Sequence, residues 1–226
     1  MVKIYDISVP IFNGMWSYRD DWKSKVERIA STNNGDKSTV YRFDLCSHTG
    51  TYIETTQHKL KNDILLSDFS LDAFHHEVVV LNLGEKKGGE GISLSEVKKC
   101  LEENDLRLSE GSSLIVAVGW GQNNSRLENF VKDSPYFERE LTDWLASLNL
   151  HLLGVDVPVI DNQKNSYNAV NLLFEGNEKM LLLAPLSIDL DEVKSEIYTL
   201  SAMPLISEGV CASLCRAILI KNPDFS

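Results

Sequence analysis

From Lys3 to Val9 apolar and polar residues alternate, the period of a strand with two unlike faces, and Pro10 limits its extension. Thr39 to Leu45 alternates in the same way and predicts a strand with one wet face. Between them, residues 11–37 mix Gly14, Trp16, Tyr18 and Trp22 with charges, as a loop or arm whose rings are core anchors or a pocket rim. Further on, apolar runs replace alternation. Val78 to Leu81 within His75–Leu83, Ser113 to Val118 and Leu152 to Val155 predict buried strands. The first ends in a turn rich in glycine (Gly84, Gly88, Gly89, Gly91), the second at Gly119-Trp120-Gly121, and the third at Asp156 and Pro158. Leu181–Leu183, Ile197–Met203 and Arg216–Ile220 supply later strands.

Helices fall between these strands. Ser93 with Glu96 forms a capping box and starts a helix that runs to about Glu103. Ser134-Pro135 predicts a second start, followed by apolar residues at 137, 141, 144, 145 and 148. Strands interspersed with helices, and no linker rich in Pro, Gly or Ser, predict a single α/β domain over residues 1–226. The strand share exceeds that of a doubly wound fold, and no glycine fingerprint follows the first strand, which argues against a dinucleotide fold.

Composition narrows the partners. Against 33 acidic residues stand 22 Lys and Arg, a formal net charge of -11 with no basic block, so nucleic acid and anionic membranes are poor partners. No window reaches the 18 to 20 apolar residues of a membrane span, and the first residues lack a signal-peptide layout, so the expected setting is cytoplasmic. The cysteines at 46, 100, 211 and 215 match no metal or redox spacing and read as free thiols, with Cys211 and Cys215 placed to share a helix face.

Candidate chemistry concentrates in one place. Of five histidines, His48 and His58 bracket a segment that also holds Tyr52, Glu54 and hydroxyls at 49, 51, 55 and 56. In an extended chain the even-numbered His48, Tyr52, Glu54 and His58 face one side, and Gly50 permits a tight turn or a close approach to a ligand. Imidazole and carboxylate on one face bind zinc or manganese, or act as a base with its orienting acid. A polar strand end with hydrogen-bonded histidines is the plainer reading. His75-His76 reads as a strand boundary and His151 as structural. Asp156 and Asp161 are either site carboxylates or turn caps, Gly119–Asn123 is a possible pocket wall, and Glu208 and Arg216 could pair or touch substrate.

The segment His48-Thr49-Gly50-Thr51-Tyr52-Ile53-Glu54-Thr55-Thr56-Gln57-His58 resembles the signature His-x-Gly-Thr-His-x-Asp-x-Pro-x-His of the cyclase family, which includes bacterial kynurenine formamidase and isatin hydrolase. Tyr5–Ile11, Val118-Gly119-Trp120, Leu153–Asp161, Met203-Pro204-Leu205 and Arg216-Ala217-Ile218 are similar to other family stretches, so the resemblance spans nearly the whole chain. It implies a swivelling β/β/α architecture and a homodimer or homotetramer. It also implies a small-molecule substrate and an arylformamidase-like hydrolase acting on an amide, formamide or lactam. In the family the two signature histidines and the aspartate hold a divalent metal, and the last histidine transfers protons.

Carried over position by position, His48 and Glu54 are the metal ligands, and His58, Glu54 and Tyr52 the catalytic group. Trp16, Gly50, Trp120 and Asp156 are expected at the substrate. The chain departs from the signature at Tyr52 and Glu54. Later family ligands are replaced near Val170 and near Ala184 or Pro185. At most one zinc or manganese is therefore expected, with Asp44 or Asp156 as supplementary ligands, and no metal is the alternative. Without one, His58 and Glu54 would activate water while Tyr52 or a backbone N–H near Gly50 met the oxyanion. The competing functions are a metal-independent cyclase or dehydratase on a specialised metabolite, and an inactive binding or structural homologue.

Overall fold

A computed structural model describes residues 2–162 and 167–221. In chain order its strands are β1 (Lys3–Asp6), β2 (Lys25–Ala30), β3 (Val40–Asp44), β4 (Tyr52–Glu54), β5 (His75–Asn82), β6 (Gly91–Ile92), β7 (Ser113–Ala117), β8 (Tyr136–Phe137), β9 (Leu152–Val155), β10 (Leu181–Ala184), β11 (Glu196–Pro204) and β12 (Ala212–Lys221). The helices are α1 (Leu94–Glu103), α2 (Trp120–Asn124), α3 (Arg139–Ser147) and α4 (Ala169–Gly176), and short 3₁₀ turns precede α1 in the chain.

Eight strands form one sheet in the order β1-β12-β11-β5-β7-β9-β10-β4, and β4 returns to pair with β12. β5, β7, β9 and β10 run parallel, and the other pairings are antiparallel. The length of β12 explains the closure. Its first residues, Ala212 to Leu214, pair with β4, and its last, Ile218 to Lys221, pair with β1. An antiparallel bridge from Ser8 to Leu186 then ties the N-terminal segment to the chain leaving β10. The result is a strand barrel with helices outside it, as the α/β expectation requires.

Strand alternation sorts the apolar residues into two cores. Val78, Val80, Ile115, Ala117, Leu181 and Leu183 fill the barrel with Ile7, Ile53 and Leu219. Their neighbours Val79, Leu81, Leu114, Val116, Leu153 and Val155 face outwards against Val97, Leu141, Leu145, Leu173 and Phe174 of the helices. Strands covered on both faces read as continuous apolar runs, which is why the sequence displays them so clearly.

Five expectations need correction. The helix foreseen at Ser134-Pro135 starts at Arg139, because Tyr136-Phe137 is taken by a parallel pairing with Gly91-Ile92. The arm of residues 11–37 contains β2, which pairs with β3 as a separate hairpin, and β3 is exposed along its whole length rather than on one face. Cys215 lies within β12 and Cys211 just before it, so they share no helix. Arg216 pairs with Asp6, its guanidinium 2.6 Å from the carboxylate, and not with Glu208. The four cysteines are free, as expected. Among the described residues, no helix is long and apolar enough to cross a membrane.

Candidate active site

Ile53 points into the barrel, so its neighbours Tyr52 and Glu54 point out of it. β4 lies between β10 and β12, with Leu182 opposite Glu54 and Ala184 opposite Tyr52 on β10. Opposed residues share a face of an antiparallel pair, and these two line the same cavity as Tyr52 and Glu54.

His48 and His58 reach this wall from outside the strand. His48 sits in a turn closed by the Thr49 N–H on the Cys46 carbonyl. Gly50 follows with φ +64°, and a Cβ there would come within 3.0 Å of the Val9 carbonyl oxygen. His58 ends a 3₁₀ turn, Thr56–His58, that directly follows β4. The segment's hydroxyls act as scaffold. Thr51 donates to the Pro185 carbonyl and accepts from the Val9 N–H, while Thr55 and Thr56 donate to the Ile64 and Glu178 carbonyls. The convergence expected of the even-numbered residues is therefore real, but it is built from a turn, a three-residue strand and a 3₁₀ turn rather than one extended face.

Glu54 is 2% exposed, and its Oε2 lies 2.9 Å from His48 Nε2 and 3.7 Å from His58 Nδ1. The two imidazoles lie 4.4 Å apart, and His48 is also 4.4 Å from the Tyr52 ring. Ser47 Oγ is 2.9 Å from His48 Nδ1. A hydroxyl both donates and accepts, so Ser47 can orient either tautomer of that ring. Burial lowers the His58 pKa below the usual histidine value, with Glu54 partly opposing. Burial raises the phenols of Tyr18 and Tyr52 well above theirs.

These residues open into a cavity of about 370 Å³. Tyr18, Arg19 and Trp22 from the N-terminal arm line it, with the apolar Val155, Pro158, Ile160, Val170, Leu182 and Ala184. Lys59 and Asp161 also line it.

A family model described as "Putative cyclase" matches residues 5–162. The chain belongs to this cyclase family. It is 24% identical over 222 residues to kynurenine formamidase of Erythrobacter litoralis, covering 98% of this chain and 95% of that one. Among solved structures, isatin hydrolase A from Ralstonia solanacearum matches at a TM-score of 0.81 with 17% identity, over 98% of this chain and 92% of that one. A protein described as a potential metal-dependent hydrolase with cyclase activity matches at 0.77 with 19% identity, over 99% and 100%.

In this member of the family, His48, Glu54 and His58 form a cluster compatible with a metal site, their potential ligand atoms all within 4.8 Å of one another. The supplementary ligands foreseen are elsewhere: Asp44 is on the exposed hairpin, and Asp156 turns its carboxylate to the backbone N–H groups of Val118 and Gly119. Asp156 is fully buried, and burial pushes its pKa up to about 7 against the pull of those donors. It caps the turn into α2. The indole of Trp120 is packed against Phe130 and donates to the Phe130 carbonyl. Trp16 stands behind Tyr18, ring centroids 5.4 Å apart. Trp16, Gly50, Trp120 and Asp156 thus do not line the cavity, whereas Tyr18 and Trp22 do. The aromatic content of the arm was the one sequence signal for those two. Val170 and Ala184 do line the cavity, at positions where the family resemblance had located further ligands.

Proposed function

We propose that this cyclase-family chain is a hydrolase that opens the C–N bond of an aryl formamide or a lactam. The observation that carries the reading is a buried carboxylate, Glu54, facing two neighbouring imidazoles at the wall of a small cavity lined in part by aromatic rings. The kynurenine formamidase and isatin hydrolase relatives support the substrate class.

The donor set fits one divalent ion. Neighbouring ligand atoms around a tetrahedral zinc lie roughly 3.4 Å apart, given bonds of about 2.1 Å. The separation of the two assigned donors, His48 Nε2 and Glu54 Oε2, is 2.9 Å, within about 0.5 Å of that value. His48 and Glu54 would hold zinc or manganese, two protein donors where catalytic zinc usually has three, so binding is expected to be modest. When bound, such an ion polarises the carbonyl of the substrate and acidifies water.

His58 is assigned the proton transfer. Its side chain is 24% exposed, more open to the cavity than His48 or Glu54, and its lowered pKa keeps it neutral near pH 7. His58 takes a proton from the attacking water and returns it to the departing nitrogen as the C–N bond breaks. Glu54 stabilises the imidazolium formed between those two events. Tyr18 and Trp22 offer their rings to an aromatic substrate, and Val170, Leu182 and Ala184 leave it an apolar bed.

Metal analysis of dialysed protein, paired with turnover of formanilide and isatin, tests the reading. With zinc or manganese present in the dialysis buffer, near one ion per chain is expected, lost in His48→Ala and kept in His58→Ala, with both variants losing turnover. Loss of metal in His58→Ala would make that residue a third ligand instead. No turnover of either substrate with metal supplied would overturn the hydrolase and leave a cyclase or dehydratase, or a binding protein.

A further inference from the structure

Along one wall of the cavity two phenols and a carbonyl stand in file. Tyr52 Oη lies 3.2 Å from Tyr18 Oη, which lies 2.9 Å from the carbonyl oxygen of Pro158. A phenol carries one proton and a carbonyl only accepts. The Tyr18 proton is therefore committed to Pro158, and the donor in the bond between the two tyrosines has to be Tyr52. Tyr52 is buried and Tyr18 half-buried, so the two hydroxyls are held in this order by their hydrogen bonds.

The direction of that proton decides what Tyr52 can do. Its O–H is turned towards Tyr18, and the oxygen has only lone pairs left to offer a ligand. Tyr52 sits beside Glu54 on the same face of β4, with its ring against His48, so those lone pairs are next to the proposed reacting centre. The metal-free scheme in which Tyr52 donates to the oxyanion is incompatible with this order. Lys59 and Arg19, which line the cavity, carry charge suited to that task.

We infer that Tyr52 is a specificity residue, a fixed hydrogen-bond acceptor that selects substrates whose scissile nitrogen bears a hydrogen. The inference rests on the hydrolase reading above. It restricts that reading to secondary formamides and unsubstituted lactams, and sets the enzyme against their N-alkyl counterparts and against esters. An N-alkyl amide or an ester oxygen leaves the Tyr52 lone pair facing a group that cannot donate to it.

The test compares matched probes. Affinity is measured for oxindole and N-methyloxindole, and turnover for formanilide and N-methylformanilide, with wild type, Tyr52→Phe and Tyr18→Phe. Wild type is expected to favour the N–H member of each pair by about tenfold or more. Tyr52→Phe removes only the hydroxyl and leaves the space around the methyl group nearly unchanged, so loss of the preference in this variant separates hydrogen bonding from crowding. The preference should fall to within about threefold there. In Tyr18→Phe the Tyr52 proton is released to rotate, and turnover of the ester phenyl formate should rise relative to formanilide.

Equal affinity of wild type for the two oxindoles, with formanilide still hydrolysed, overturns the inference and leaves the hydrolase standing. A preference unchanged in a folded Tyr52→Phe also overturns it. Failure of wild type to bind or turn over any probe overturns the hydrolase reading and this inference together.

Discussion

Glu54 and His48 share a hydrogen bond of 2.9 Å in which the carboxylate is 2% exposed and accepts from the imidazole Nε2. The pair anchors the site, because His58, its ring beside that of His48, approaches the same carboxylate oxygen at 3.7 Å. Glu54→Gln keeps the shape and an acceptor for His48 but removes the charge. Thermal stability is expected to change by less than about 1 kcal/mol. The kcat/KM for formanilide should fall by up to roughly 10² to 10⁴, the usual worth of general acid–base catalysis, because the His58 imidazolium loses its charged partner. Thermal melts alongside turnover check both; a variant that keeps turnover would remove Glu54 from the proposed chemistry.

The fold was more legible than the site. Val78–Leu81, Ser113–Val118 and Leu152–Val155 are covered by the barrel core on one face and by helices on the other, so burial writes itself into the sequence as apolar runs. The Ser93–Glu96 capping box is local chemistry and appears as read. What resisted reading depends on distant pairing. Tyr136-Phe137 becomes a strand only because Gly91-Ile92 lies beside it. At the site, His48, Glu54 and His58 were visible as a dense polar cluster. Asp156 was not separable from a catalytic carboxylate, since its partners are backbone N–H groups some 37 and 38 residues away.

That placement makes Asp156 a test of structure rather than chemistry. Its carboxylate accepts the Val118 N–H at 2.9 Å and the Gly119 N–H at 2.7 Å, and no solvent reaches it. Asp156→Ala leaves these buried donors unpaired. A loss of about 3 kcal/mol in unfolding free energy is expected. In whatever fraction folds, KM should stay near the wild-type value, because the side chain is not part of the cavity wall. Denaturant titration and steady-state kinetics read the two separately, and a large rise in KM with intact stability would restore Asp156 to the substrate.

At the opposite ends of the parallel strands, His76 bonds to Ser113 Oγ at 2.8 Å and to the Asp72 carbonyl at 3.2 Å, with the His151 ring 4.9 Å away. Burial lowers the pKa of His76, helped by His151 and opposed by the Asp72 contact. A histidine with a depressed native pKa binds fewer protons folded than unfolded, so its contribution is complete above about 6.5 and is lost as pH falls. Melting temperature should therefore drop between pH 7 and pH 5. His76→Gln should show a shallower drop than wild type, and identical slopes in the two proteins would show that His76 does not contribute.

The hairpin of β2 and β3 raises the question of what covers it. Phe43 is 63% exposed and Tyr41 52%, with Ile29 and Val40 also open to solvent, on an element that contributes nothing to either core. Exposed apolar groups concentrated on one projecting element mark an association surface more often than a free one. A second copy of the chain is the proposed occupant, consistent with the homodimer or homotetramer that the family resemblance implies. Removing both rings in Phe43→Ser with Tyr41→Ser should forfeit about 3 kcal/mol of burial, which weakens self-association more than a hundredfold. Light scattering across a dilution series should show wild type as an oligomer and the double variant as a monomer with an unchanged circular dichroism spectrum. A wild type that is monomeric at all concentrations would leave the hairpin without this role.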